Sequence, residues 1–153
     1  VVVTNGDQTD TVRDYLLAGK SFEAALETRC FEPDAPNFTP RISGILNFAD
    51  GDFDYKLSIL KSADAAGTAC NRYTFSYAAL AGLGHFIHTY NCDGDPIPTF
   101  TGEPERVAIP DDIEAFAKQI WEGLDENNKI SLYVRYIDLS TGKYEKVLIN
   151  KNK

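Results

Sequence analysis

Two strand-forming segments, RISGILNF (41–48) and FDYKLSIL (53–60), flank Ala49-Asp50-Gly51-Asp52, and no other feature restricts the fold as strongly. Asp-Gly between β-rich runs is favoured in tight turns, so an antiparallel hairpin is expected there. The same pattern recurs. NRYTFSY and HFIHTYNC alternate like strands on either side of AALAGLG, which predicts a second hairpin with HFIHTYNC as a full strand. ISLYVRYID and KYEKVLINK are joined by Ser140-Thr141-Gly142-Lys143 and predict a third. RVAIP adds a short strand.

Helices are fewer. Thr9 and Asp10 precede a short one in TVRDYLLAGK that Gly19 stops, and Ser21 caps a second in SFEAALETR. Ile113, Phe116, Ala117, Ile120, Trp121 and Leu124 fall on one stripe of a 3.6-residue period, predicting a longer helix from about Asp112 to Leu124. Pro110-Asp111 with Glu114 reads as its capping box. The proline-rich runs CFEPDAPNFTP and CDGDPIPTFTGEP are connecting loops. The fold class is therefore α+β, with layered antiparallel sheets flanked by helices, and residues 1–153 are read as one domain.

A net charge of -8 argues against nucleic-acid binding, which needs a clustered basic face to replace phosphate counterions. A small anion needs only one or two placed cations and some amides. No stretch approaches the ~20 apolar residues of a membrane span, so no membrane partner is expected. Three widely spaced cysteines form neither a disulfide framework nor a zinc pattern, and reduced thiols in a cytoplasmic protein are the simplest account. The chain opens at Val1 and contains no methionine, as expected of a segment whose upstream part is absent.

Charges on strands single out Arg41, Arg72 and Arg135 as anion-binding candidates, the alternative being a solvated sheet face or salt bridges to acidic residues. Lys61, ending SILKS, is a weaker version of the same idea. TNGDQTD places Asn5, Asp7, Gln8 and Asp10 at a strand-to-helix junction where ligands commonly bind. Alternatively it is a capped turn, with a positive-φ position at Asn5-Gly6 and Asp10 satisfying helix amides. On a strand His85 and His88 would face opposite ways, which disfavours a shared metal, and His88, Tyr90 and Cys92 would share a face with Phe86. No metal site is assigned. Cys70 is read as a buried, unreactive thiol. No dinucleotide fingerprint or Walker loop is present.

TNGDQTD, TPRISG, SILKS, CNRYTF, GHFIHTY with CDGDP, and VRYIDL, in that order, resemble segments of the bacterial and archaeal inosine monophosphate (IMP) cyclohydrolases. The resemblance covers nearly the whole chain and identifies it as the C-terminal two-thirds of such a domain, lacking N-terminal strands. It implies an αββα sandwich like that of the N-terminal-nucleophile hydrolases, used without such a nucleophile. The implied activity, a hydrolase acting on cyclic amidines, closes 5-formamidoimidazole-4-carboxamide ribotide to IMP in de novo purine synthesis, with no metal or organic cofactor. The expected partner is a purine nucleotide, with homo-oligomerisation left open. On this reading His88, Asp7 and Tyr73 are catalytic candidates. Asn5, Arg41, Asn71, Arg72, Tyr90 and Arg135 are substrate-binding candidates. The alternatives are a purine-nucleotide-binding module without turnover and an amide hydrolase of the same sandwich type. The latter needs an N-terminal nucleophile that Val1 does not supply.

Overall fold

A computed structural model describes residues 1–49 and 52–152, and its contacts divide the chain into two compact units. The first comprises Val1–Ala79 and His85–Arg106; the second comprises Leu80–Gly84 and Val107–Lys153. The expected α+β class is what the described residues adopt, with antiparallel sheets and few helices.

In the first unit a four-stranded antiparallel sheet runs in the order β1 (Val2–Thr4), β2 (Arg41–Ala49), β3 (Asp52–Ser62) and β4 (Cys70–Ala78). The first hairpin forms as expected, in register from Arg41↔Leu60 to Ala49↔Asp52, while its Asp50-Gly51 turn lies outside the described residues. Helices α1 (Gln8–Leu17) and α2 (Phe22–Glu27) cover one face of this sheet, burying Val12, Phe22, Ala25 and Leu26 against Ile45 and Leu60. Ser21 caps α2 by accepting a hydrogen bond from the Ala24 amide at 3.1 Å. Ile59 and Leu60 are consecutive, so they point to opposite faces, yet they are 2% and 0% exposed. The sheet is thus covered on both sides at the β3 end where the site lies.

The start of α1 differs from expectation. Asp7 occupies the cap position without a side-chain cap bond, and Thr9 and Asp10 lie inside the first turn, where Asp10 pairs with Arg13 at 2.7 Å. Gly6 is not a positive-φ position. It is instead a place of close approach, because a Cβ there would lie 2.7 Å from Gln8 Oε1.

The second expected hairpin is also corrected. β5 (Leu83–Phe86) ends well before Cys92 and pairs with β6 (Glu105–Ala108), not with β4. Residues after Phe86 fold back on their own loop, with the Phe100 amide donating to Thr89 O at 3.0 Å and the Asn91 amide to Pro98 O at 2.9 Å. The alternation expected to carry His88, Tyr90 and Cys92 on one strand face is therefore absent.

In the second unit α3 (Ile113–Gly123) packs Ile113 and Ala117 on Val134, Leu132, Val147 and Ile149 of the hairpin β7 (Ser131–Ile137) and β8 (Tyr144–Asn150). Its cap lies one residue later than expected. Asp112, in extended backbone, accepts from the amides of Glu114 at 2.9 Å and Ala115 at 3.0 Å. Removing both bonds with Asp112→Ala is expected to lower stability by about 1 kcal/mol, measured by urea denaturation, and Asp112→Asn should recover most of it.

Candidate active site

Register decides which side chains meet. Ile59 pairs with Tyr73 and Lys61 with Asn71 across β3 and β4, and alternation sends all four to the face away from α1 and α2. Two hollows lie there. One, of about 480 Å³, is bordered by Lys61, Ser62, Asn71, Tyr73 and the loop Pro96–Thr99. The other, of about 410 Å³, is bordered by Ile59, Lys61, Tyr73, Phe75, Phe100 and Thr101. Lys61 and Tyr73 line both, so a polar hollow adjoins an apolar one across these two side chains.

The walls are held by specific bonds. Asn37 Oδ1 accepts from the Ile97 amide at 3.0 Å, fixing the outer loop across the polar hollow. Phe38, another lining residue, sits at φ 45° with its ring so close to Gly67 that a Cβ there would come within 2.6 Å. Lys61 Nζ donates to Phe100 O at 2.7 Å, which occupies one of its three N–H groups. Burial pushes the pKa of this ammonium down from the ordinary lysine value. Among the described residues Lys61 is the cation lining either hollow.

The expected site residues fall into separate settings. Asn71 and Tyr73 share the hollows just described. Arg72, between them, points to the opposite face and donates to the carbonyls of Arg29 at 2.7 Å, Cys70 at 3.3 Å and Leu26 at 3.4 Å. Arg41, on that same helix-covered face, is 7% exposed. It pairs with Asp7 and, at 2.9 Å, with Glu32; Arg29 also pairs with Asp7. Arg135 belongs to the second unit, its guanidinium 3.7 Å from the centre of the Tyr144 ring. Asn5 uses its whole amide locally, accepting from the Ile42 amide at 2.8 Å and donating to Pro40 O at 3.0 Å and Thr89 Oγ1 at 3.2 Å.

Tyr90 and His88 stand behind the loop that walls the hollows. Tyr90 pairs with Thr99 and shares a 2.6 Å hydroxyl bond with Thr39. The His88 ring meets Phe100 edge-on at 4.6 Å, and its Nδ1 lies 2.6 Å from Tyr90 O. A carbonyl can only accept, so Nδ1 donates this bond, and Nε2 lies 3.7 Å from Glu105. His85 is elsewhere, stacked on Tyr77 at 3.6 Å with Tyr55 Oη 2.6 Å from its Nδ1. Among the described residues no group of three or more His, Cys, Asp or Glu is placed to hold a metal ion.

Sequence ranked Lys61 behind the arginines. The signal that separates them was present in the alternation of SILKS and CNRYTF, but reading it required the β3–β4 register. No helix among the described residues is long and apolar enough to cross a membrane.

A family model described as IMP cyclohydrolase-like protein matches residues 1–143. No curated protein and no solved structure matches the chain.

Proposed function

Because this chain belongs to the IMP cyclohydrolase-like family, we propose that it catalyses the dehydrative closure of 5-formamidoimidazole-4-carboxamide ribotide to IMP. The observation that carries the proposal is the meeting of Lys61, Asn71 and Tyr73 where a polar and an apolar hollow adjoin. A ribotide has the same division, an anionic phosphate at one end and a flat ring at the other.

In this reaction the substrate's carboxamide nitrogen attacks its own formyl carbon. A C–N bond forms, the formyl oxygen gathers the charge, and it leaves as water with one proton from the attacking carboxamide nitrogen and one from the formamide nitrogen, whose bond to the former formyl carbon becomes double. The reactants are already tethered, so the protein's tasks are to hold the two groups together, stabilise the oxygen and move protons. We assign the phosphate to Lys61, whose remaining N–H groups face no carboxylate within salt-bridge distance among the described residues. Arg41 and Arg72, expected in that role, are held by carboxylates and carbonyls on the helix-covered face, although Arg41 Nε has no hydrogen-bond partner among the described residues. Asn71 and Tyr73 supply donors for the formyl oxygen, and Phe75 and Phe100 flank the ring. His88 lies outside the lining of both hollows and Asp7 is paired with two arginines, so neither carries protons in this proposal.

The αββα layering implied by the resemblance belongs to the same proposal. Support comes from each unit taken singly, since each has one helix-covered sheet face and one without a helix. A cytoplasmic location and a small-molecule purine nucleotide as partner, with homo-oligomerisation left open, are likewise proposed.

The test mixes the protein with the formylated ribotide and follows the ultraviolet change as the bicyclic purine forms. Turnover is expected, and Tyr73→Phe should lower kcat by about 2- to 10-fold, the worth of one neutral hydrogen bond. Binding of IMP without any turnover would select a nucleotide-binding module instead.

A further inference from the structure

Asn37 borders the polar hollow together with Lys61, and its side-chain amide is fixed in one orientation. The backbone amide of Ile97 can only donate, so the atom 3.0 Å from it is the Asn37 carbonyl oxygen, Oδ1. Nδ2 is left as the free end. Its two N–H groups have no acceptor among the described residues. The backbone that carries this amide is held as well. The Asn37 amide donates to Asp34 O at 3.0 Å, and Thr39 donates to the Asp34 carboxylate from its amide at 2.7 Å and from its hydroxyl at 2.5 Å. Between them Phe38 takes φ 45°, a left-handed conformation that a bulky residue adopts only where its surroundings impose it. Its ring meets Phe31 edge-on at 5.5 Å and occupies the space in which any side chain at Gly67 would stand. Packing therefore holds Asn37 at the border of the hollow.

We propose that Asn37 is a substrate-binding residue for the phosphate, its Nδ2 donating to a phosphate oxygen while Lys61 neutralises the charge, and that this contact sets a preference for ribotides over ribosides.

The inference rests on the function proposed above for the same hollow, and adds a residue and a selectivity to it. A phosphate dianion offers acceptors only. The locked amide offers donors only, so the two match without any rearrangement of the side chain. Lys61 attracts an anion as a point charge, which supplies affinity but little direction. A donor whose orientation is held by a second bond supplies the direction. Ser62 and Asp64, also on that border, are engaged elsewhere. Ser62 Oγ donates to Asp64 O at 2.6 Å. The Asp64 carboxylate accepts from the amides of Ala66 at 2.8 Å and Thr68 at 3.2 Å and from the Thr68 hydroxyl, so its charge is taken up by its own turn.

The experiment uses Asn37→Asp, which keeps an oxygen for the Ile97 amide and replaces both N–H groups with a charged acceptor. Calorimetric titration is expected to show the Kd for IMP raised by about tenfold or more, with the affinity for inosine unaltered. Amide NMR of the parent reads the same contact without a substitution. The side-chain amide resonances of Asn37, identified by their loss in the variant, should shift on titration with inorganic phosphate and with IMP and stay in place with inosine. The two readings separate cleanly. A parent that shows these shifts yet never turns over the ribotide would lose the proposed reaction and keep the anion contact. Resonances that ignore both phosphate and IMP, an Asn37→Asp variant that binds IMP as tightly as the parent, or an equal loss of IMP and inosine affinity would each overturn the role of Asn37, whatever the turnover.

Discussion

Lys61→Met is expected to lower kcat/KM for the formylated ribotide, and to raise the Kd for IMP, by about 10- to 150-fold. A hydrogen bond involving a charged partner contributes about 1.5–3 kcal/mol, and each 1.4 kcal/mol is tenfold. Methionine keeps the length and packing of the side chain, so the loss would report the charge. A pH series sharpens the test. Burial holds the Lys61 pKa below the ordinary lysine value, and an incoming phosphate favours the protonated form. The sign follows directly: affinity is full while the ammonium is charged, and falls as pH rises through that lowered pKa. Lys61→Arg keeps its charge throughout, so its affinity should show no such alkaline decline. An unchanged Kd in Lys61→Met would remove Lys61 from the phosphate and with it the orientation proposed for the ribotide.

How the chain came to mislead about its arginines is instructive. A guanidinium on a strand draws attention because a sheet interior seldom tolerates one without a partner, and Arg41 and Arg72 did find partners. The partners were carboxylates at Asp7 and Glu32 and backbone carbonyls at Leu26 and Arg29, none of them a sequence neighbour, together with the nearby Cys70 carbonyl. Propensity and periodicity act over a few residues, so they disclosed the Arg41–Leu60 hairpin, the β7–β8 hairpin and the stripe of α3. They do not disclose which strand lies beside which. HFIHTYNC alternates as well as any strand here, yet His88 turns onto Phe100 and Tyr90 pairs with Thr99, because a loop closing on itself satisfied those amides first. The cap of α3 moved from Asp111 to Asp112 for a similar reason, since both are aspartates and only backbone geometry chooses between them. Asn71 and Tyr73 were legible as candidates; their joint orientation with Lys61 emerged only from the β3–β4 register.

The buried ionic cluster leads to an asymmetric prediction about stability. The Arg41 side chain is 9% exposed, whereas those of Asp7 and Glu32 are 69% and 34% exposed. Neutralising both carboxylates in Asp7→Asn/Glu32→Gln leaves a guanidinium that cannot regain water, and an uncompensated buried charge costs about 3–5 kcal/mol. Arg41→Met instead removes the group that pays the desolvation. Asp7 keeps Arg29 and both carboxylates reach solvent, so the loss should stay below about 2 kcal/mol. At about 2–4 °C per kcal/mol for a chain of this size, the double variant should melt roughly 6–20 °C below the parent, and Arg41→Met far closer to it. The triple variant should be more stable than the double, since removing the stranded cation relieves the penalty, an additivity failure of the kind a mutant cycle isolates. If Arg41→Met proved as damaging as the double substitution, the cluster would owe its stability to packing around the arginine stem, and the electrostatic account of this face of the sheet would fail.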